Sequence, residues 1–168
     1  PRDVRVYHAF MAKADMKVLW RIANPPQPAS FFRELSRGLR DAFIYGEVVG
    51  VHLGPLHHPD AVAQLADLLL THDGMRWSLV TGRYRGTLHV SLRSVTARSN
   101  AGNAMKTILG DDHYGGGHRM IAGGQLPVGD DTDEAGWQVV EGEVLQAFLK
   151  LRRINLDQAA VYPFRDDA

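Results

Sequence analysis

The sequence predicts an α/β domain in which helices flank a mixed β-sheet. Apolar residues recur at helical spacing in several segments, and short segments rich in valine and leucine lie between them. Two of these short segments are separated by a tight turn, which indicates a β-hairpin and therefore antiparallel pairing. Because helices and strands alternate elsewhere, we also expect parallel pairing, and hence one mixed sheet.

Composition is that of an ordinary globular protein. The 168 residues suit one domain, the formal net charge is zero, and no cysteine is present. These features exclude a disulfide framework and a thiolate metal site. No apolar segment reaches the length of a membrane span, so we expect a cytoplasmic protein with no membrane partner. The chain starts at Pro1 rather than at methionine, from which we expect a part of a longer protein.

The first 46 residues are predicted to form a strand and two helices. Alternating apolar residues favour a short strand over residues 4–10, and helical spacing over residues 12–24 precedes a proline-rich stop. Ser30 is expected to N-cap a second helix that ends at Gly46. The apolar stripe of this helix consists of Phe31, Leu35, Leu39 and Phe43. Such a stripe normally belongs to a core.

A strand, a helix and the hairpin follow in the central part of the chain. Residues 47–53 form a valine-bearing strand, and Pro59 suits the first position of a helix over residues 60–72. Residues 77–80 and 88–92 are predicted as the two strands of the hairpin.

The last third of the chain is predicted as a helix, a glycine-rich loop, a short strand and a final helix. Asn100 can cap a helix over residues 101–109, and residues 125–128 form a strand after the glycines. Carboxylates within residues 130–134 suit the entrance of the final helix, where they meet the positive end of its dipole. Residues 154–168 carry no periodic pattern.

The glycine-rich stretch over residues 111–124 is the candidate binding loop. His118 and Arg119 directly follow a glycine triplet. A segment without side chains lets backbone N–H groups approach one anion, and a cationic side chain can then close the site. The P-loop and dinucleotide-binding patterns do not fit, because His118-Arg119 replaces Lys-Ser and Met120 stands where a further glycine is needed. A mobile surface loop stays open as an alternative.

Basic residues concentrate between Arg76 and Arg119. This segment carries seven lysines and arginines but only two carboxylates, a net charge of +5. A basic segment beside a glycine-rich loop suits a phosphate-bearing ligand, although a solvated hairpin face would have the same composition. In the second hairpin strand, alternation puts His89, Ser91 and Arg93 on one face. Arginine at that place offers a planar fork of donors that can bind two phosphate oxygens.

Two motifs together resemble one family. They are Ser91-Leu92-Arg93-Ser94 at a strand end and the later Gly115-Gly116-Gly117-His118 with Ala122-Gly123-Gly124. Their combination is similar to the DHHA1 domain, the C-terminal half of the DHH phosphoesterases. The likeness is greatest to the oligoribonuclease and pAp-phosphatase branch.

The resemblance implies a DHHA1-like fold and a division of the chain into three parts. Residues 1–46 would be the connector from an N-terminal DHH domain, and residues 47–153 would be the substrate-binding DHHA1 domain. Residues 154–168 would be a C-terminal tail. The DHH domain itself is missing, because no Asp-His-His occurs in the sequence.

The predicted substrate-binding residues are Arg93, Ser94, Asn103, Gly115, Gly116, Gly117, His118 and Arg119. The resemblance implies that Arg93 and Ser94 meet the nucleotide and that His118 contacts a substrate phosphate. Many relatives carry a fourth glycine where this chain has Tyr114, which narrows the freedom of the loop. Asn103 could read a base or sugar or act in capping, and Arg119 could equally point to solvent.

No catalytic residue, metal ligand or cofactor is expected in this chain. The resemblance implies two Mn²⁺ ions, held by aspartates and histidines of the DHH domain. Two groups of residues have ligand chemistry but no recognised ligand spacing. They are His52, His57, His58 and Asp60, and Asp111, Asp112 and His113.

The implied function is substrate binding in a phosphoesterase that hydrolyses short oligoribonucleotides or pAp-like nucleotides. The partners would be the DHH domain of the same protein and a short RNA or nucleotide, with homodimer formation left open. The isolated chain is then expected to be inactive. A stand-alone nucleic-acid-binding module, like the related C-terminal domains of alanyl-tRNA synthetases, is the main alternative. A self-sufficient metallohydrolase built on the histidines is a third.

Overall fold

The structure, a computed structural model, describes residues 2–11, 13–155 and 157–165. In chain order its elements are α1 (Arg2–Met11), α2 (Met16–Ala23), α3 (Ala29–Asp41), β1 (Phe43–Tyr45), β2 (Val48–Pro55), α4 (Asp60–Leu69), β3 (Trp77–Tyr84), β4 (Thr87–Ser94), a 3₁₀ turn (Ala97–Ser99), α5 (Ala101–Leu109), β5 (Gly115–Gly117), β6 (Ile121–Pro127) and α6 (Glu134–Leu151). Within these ranges, no helix is long and apolar enough to cross a membrane.

Six strands form one mixed sheet in the order β1-β2-β3-β4-β6-β5. The strands β2 and β3 pair in parallel, and the other neighbouring pairs are antiparallel. The predicted hairpin is β3–β4, in register from Trp77 opposite Ser94 to Tyr84 opposite Thr87. The predicted fold class, an α/β domain with a mixed sheet and flanking helices, is therefore confirmed.

Helices cover both faces of the sheet. On one face α3 packs on β2 and α4 packs on β3 and β4, around a core that includes Leu65 and Val80. On the other face α5 packs on β4, β5 and β6 beside α6, around a core that includes Leu92, Met105 and Phe148. Because α4 lies mainly on β3 and β4, the strands β6 and β5 extend past it and leave their α4-side face open.

The N-terminal segment contradicts one prediction. Residues 4–10, predicted as a strand, belong to α1. Alternation over so few residues fits either period, and a helix pairs its own backbone groups without needing a neighbouring strand. The predicted second element is α2, which begins at Met16 because the Asp15 carboxylate accepts hydrogen bonds from the N–H groups of Lys17 and Val18.

Two boundaries of the predicted second helix are also wrong. It begins at Ala29, so the cap position falls on Pro28 and Ser30 is already helical. It ends at Asp41, and Phe43 pairs with Gly50 in the sheet instead of extending the helical stripe. The Phe43 side chain remains in the core, as predicted, but it enters the core from a strand.

The C-terminal helix and tail close the domain. Asp133 caps α6 by accepting a hydrogen bond from the Gly136 N–H, which fits the predicted acidic helix entrance. The tail then returns to the β1 edge of the sheet, where Val161 pairs with Ile44. Of the predicted tail, residues 156 and 166–168 lie outside the described ranges.

Candidate functional site

A cleft of about 620 Å³ opens where β6 and β5 extend past α4. Its floor is a row of residues on three neighbouring strands, because Ser91 lies beside Gly123 and Gly123 lies beside Gly116. At about 4.8 Å per strand, this row spans roughly 10 Å. The only side chain in it is the small Ser91 hydroxymethyl group, so the floor is flat and close to the backbone.

The glycines around this floor have two separate roles. A Cβ atom at Gly116 would have no neighbour within 4 Å, and one at Gly123 would only approach Val90 O at 3.8 Å. Those two residues therefore face the open cleft. Gly115 and Gly124 face the other way, where Cβ atoms would lie 2.7 Å from Met105 Cγ and 2.3 Å from Leu109 Cδ1, respectively. This second pair is glycine because α5 packs directly on the strands.

The glycine triplet, predicted as a loop, is the edge strand β5. The His118 N–H donates to Ile121 O at 2.8 Å, and the Gln125 N–H donates to Tyr114 O at 2.7 Å. These bonds fix the antiparallel register, so the N–H groups of the first and third glycines point to the outer edge of the sheet. The triplet therefore does not gather its amides around one anion; its middle residue instead forms part of the cleft floor.

Arg93 projects into the cleft from β4, on the face that strand alternation predicts. Its side chain is 10% exposed, and its Nε donates to Asp67 Oδ1 on α4 at 2.5 Å. Its Nη1 donates to Ser91 Oγ at 2.7 Å and to Ala122 O at 3.2 Å. The guanidinium is thus fixed in place by α4, β4 and β6.

The predicted two-pronged grip of Arg93 is only partly available. Nε and Nη1 both have acceptors, whereas Nη2 has none among the described residues and is not enclosed. A ligand phosphate could therefore accept from Nη2 without disturbing the bond to Asp67. Binding through Nε as well would require Asp67 to be displaced.

The other predicted binding residues lie at the same end of the sheet but do not line the cleft. Ser94 is buried with its side chain on the opposite face of β4, and its N–H donates to Met120 O at 2.9 Å. The side chains of His118, Arg119 and Asn103 are exposed. The backbone of His118 reaches the cleft boundary, because it is bonded to Ile121, which is itself a lining residue.

The turn after the glycines is tied to the beginning of α5. The N–H groups of Ala101 and Gly102 donate to the carbonyls of Arg119 and His118, each at 2.9 Å. The third helix amide, that of Asn103, donates to Asn100 Oδ1 at 3.2 Å, which confirms Asn100 as the cap. Because these three amides already have acceptors, the start of α5 is not available as an anion site.

Sequence reasoning left out several residues that line the other end of the cleft. His89 and Gln125 lie side by side on β4 and β6, and His113 and Tyr114 border them before β5. Burial lowers the pKa of His89, which favours its neutral form. Alternation along β4 already placed His89 on the face of Arg93. Gln125 could not be placed, because the prediction began the last strand at that residue.

No metal-binding cluster is present among the described residues, since no group of three histidine or carboxylate side chains could hold an ion. The candidates pair locally instead. His52 Nδ1 lies 2.7 Å from Thr81 Oγ1 in the core, and burial lowers its pKa. Asp111 accepts hydrogen bonds from the backbone N–H and then the ring of His113, and these lower the pKa of the carboxyl.

A buried ion network on the opposite face ties the sheet to α6. Arg83 on β3 donates from Nε and Nη2 to the two oxygens of Glu141, at 2.9 and 2.7 Å. It also donates to Glu134 from Nη1 at 2.6 Å, and its guanidinium lies 5.5 Å from the centre of the Trp137 ring. The network is structural, because it lies on the α6 side of the sheet, away from the cleft.

The pattern of a glycine-floored sheet face with one anchored arginine has a match among known families. A DHHA1 domain model matches residues 42–150. The chain belongs to the DHHA1 domain family. An uncharacterized protein of Methanocaldococcus jannaschii is 27% identical over 116 residues, which cover 68% of this chain and 23% of that protein. The chain thus spans less than a quarter of that relative.

Solved structures support the DHHA1 fold. The crystal structure of an exopolyphosphatase-related protein from Bacteroides fragilis superimposes with a TM-score of 0.62 at 16% identity, over 90% of this chain and 45% of that chain. The C-Ala domain of Aquifex aeolicus alanyl-tRNA synthetase matches 61% of this DHHA1 chain and 96% of its own length at 14% identity. Its TM-score is only 0.43, too low to carry an argument.

Proposed function

We propose that this DHHA1 domain is the substrate-binding part of a DHH-family phosphoesterase. Its cleft would hold a phosphate of a short oligoribonucleotide or of a pAp-like nucleotide. The observation that carries the proposal is Arg93, a nearly buried guanidinium with one free nitrogen beside a floor formed by Gly116 and Gly123. A flat floor admits a phosphate close to the backbone, and the cation compensates its charge.

The proposal divides the work between two domains. Phosphoester hydrolysis with two Mn²⁺ ions would be the task of an N-terminal DHH domain of the same protein, which is the first proposed partner. Such chemistry needs clustered carboxylates and histidines, and no suitable group of three occurs among the described residues of this chain. The DHHA1 domain would hold the substrate in position for that centre. A cytoplasmic location is part of the same proposal and fits the absence of cysteine.

Within the chain, the proposed roles follow from position. Arg93 would bind and orient the phosphate through Nη2, with Asp67 holding the guanidinium in place. His118 and Arg119 would approach the same ligand from the turn at the end of the cleft. An imidazole there is partly protonated near neutral pH and can donate to a phosphate oxygen. Alone, the chain would bind substrate and hydrolyse nothing.

Calorimetric titration of the chain with adenosine 3′,5′-bisphosphate (pAp) tests the proposal. Arg93→Gln should weaken binding by about 1.5–3 kcal/mol, the range for a hydrogen bond to a charged group. The control Arg153→Gln makes the same charge change at an exposed position after α6 and should leave binding unchanged. Equal binding by the two variants would contradict the proposal. Affinity that rises steadily with RNA length but ignores Arg93 would favour a general nucleic-acid-binding module.

A further inference from the structure

A second groove, of about 530 Å³, runs along α3 and is separate from the cleft. It is lined by Arg33, Arg37 and Arg40, whose spacing of four and then three residues puts them on one stripe of the helix. This stripe lies beside the buried face of α3, which packs on β2 and α4 through Gly38 and its neighbours. The three guanidinium groups therefore border the groove without belonging to the core.

These three arginines lack carboxylate partners. Within the described residues, no carboxylate oxygen lies within 4.0 Å of their nitrogens, whereas Arg83 and Arg93 are both paired. Arg37 Nη2 donates to the Pro55 carbonyl at 3.1 Å, and its enclosed Nε has no partner among the described residues.

The one carboxylate that lines the groove, Glu34, is already occupied. It accepts the His57 N–H at 3.0 Å and the His57 ring Nδ1 at 2.7 Å. The groove thus keeps an excess of positive charge, and it has room for an anion.

An exposed aromatic ring lies among these charges. Phe32 also lines the groove and its side chain is 58% exposed. Cationic side chains beside an exposed ring are typical of single-strand nucleic-acid sites, where phosphates meet the cations and a base stacks on the ring. An acidic protein segment would satisfy the arginines but would give the ring no stacking partner.

The α3 groove is continuous with the cleft around the beginning of α4. A third hollow, of about 380 Å³, joins them, because Asp60 lines both it and the cleft while Ser30 and His57 line both it and the α3 groove. Asp60 is the carboxylate on this path, and its Oδ2 lies 3.3 Å from His58 Nδ1. A strand of a few nucleotides could therefore lie across both sites.

We infer that the α3 groove binds the backbone and one base of a single-stranded oligonucleotide whose other end lies in the cleft. The inference deepens the proposed function and rests on it for the position of that other end. It assigns Arg33, Arg37 and Arg40 to phosphates and Phe32 to a base. It also predicts that the substrate is longer than a dinucleotide.

Calorimetric titrations of the chain with an adenylate dinucleotide and an adenylate hexanucleotide test this inference. The hexanucleotide should bind at least about tenfold more tightly. Arg33→Gln with Arg40→Gln should remove about tenfold of hexanucleotide affinity, and should lower the slope of log affinity against log salt by about 1.4, or 0.7 per phosphate contact. Dinucleotide binding should not change. Phe32→Leu should weaken the hexanucleotide about tenfold at an unchanged salt slope.

The matched control is Lys150→Gln with Arg153→Gln, the same charge change on the α6 side of the sheet, which should have no effect. Equal affinity of the wild type for the two oligonucleotides would overturn the groove while leaving the proposed function intact. Equal losses in both double variants would overturn it too, because the attraction would then be general. If the dinucleotide fails to bind but the hexanucleotide binds through Arg33 and Arg40, the groove stands and the cleft assignment falls.

Discussion

Two adjacent glycines of β6 should respond in opposite ways to the same substitution. Gly123→Ala places a methyl group on the open cleft floor, with its nearest neighbour, Val90 O, at 3.8 Å. No strain arises, so the lower entropy of the unfolded chain should stabilise the fold by about 0.4–1 kcal/mol. Gly124→Ala places its methyl 2.3 Å from Leu109 Cδ1 and 2.9 Å from Tyr114 O. Overpacking of this kind should destabilise the fold by about 1–3 kcal/mol.

Urea denaturation, followed by circular dichroism, measures the stabilities of the two variants, and calorimetric titration with pAp measures their binding. The same Gly123→Ala change that is harmless to the fold should weaken pAp binding about tenfold, because the methyl group occupies the place of a phosphate oxygen. Gly124→Ala should keep its affinity at temperatures where it is folded. Equal destabilisation of both variants, or unchanged pAp binding by Gly123→Ala, would refute the assignment of the two glycine roles.

Two further predictions concern the buried polar groups on the α6 side. Glu141→Gln should reduce the free energy of unfolding by about 3 kcal/mol in urea titrations, because Arg83 loses its buried partner, while Glu134→Gln at an exposed position should cost less. An equal loss in the two variants would contradict this. Burial lowers the pKa of His52 below 6.5, so the unfolded chain binds the proton first and stability should fall as pH drops from 6.5 towards the lowered value. His52→Gln should reduce the difference between urea midpoints at about pH 7.5 and about pH 5.5, and an unchanged difference would show that His52 does not cause it.

Local patterns predicted the elements whose pattern is local. The hairpin β3–β4 followed from alternation and a tight turn, and α5 followed from Asn100 at its cap. The strand β5 escaped prediction because three glycines carry no side-chain pattern and become a strand only through pairing with β6. The helix α1 escaped because alternation over a few residues does not separate a strand from a helix.

The candidate site was predictable in part for the same reason. Alternation along β4 put Arg93 on the correct face, but its bond to Asp67 joins residues of two elements that meet only when α4 packs on the sheet. The glycine triplet indicated close approach of another group, without showing that Gly116 faces a cleft and Gly115 faces α5. Likewise, the position of His118 outside the cleft lining depends on the tie between its carbonyl and the start of α5.

Amide and arginine side-chain NMR spectra recorded during titration with pAp test the central claim most directly. A phosphate held in the cleft should shift the resonances of Gly116, Gly123 and the Arg93 guanidinium together, and should leave those of α6 unchanged. Shifts confined to α6, or at the start of α5 without any change at Arg93, would contradict the account.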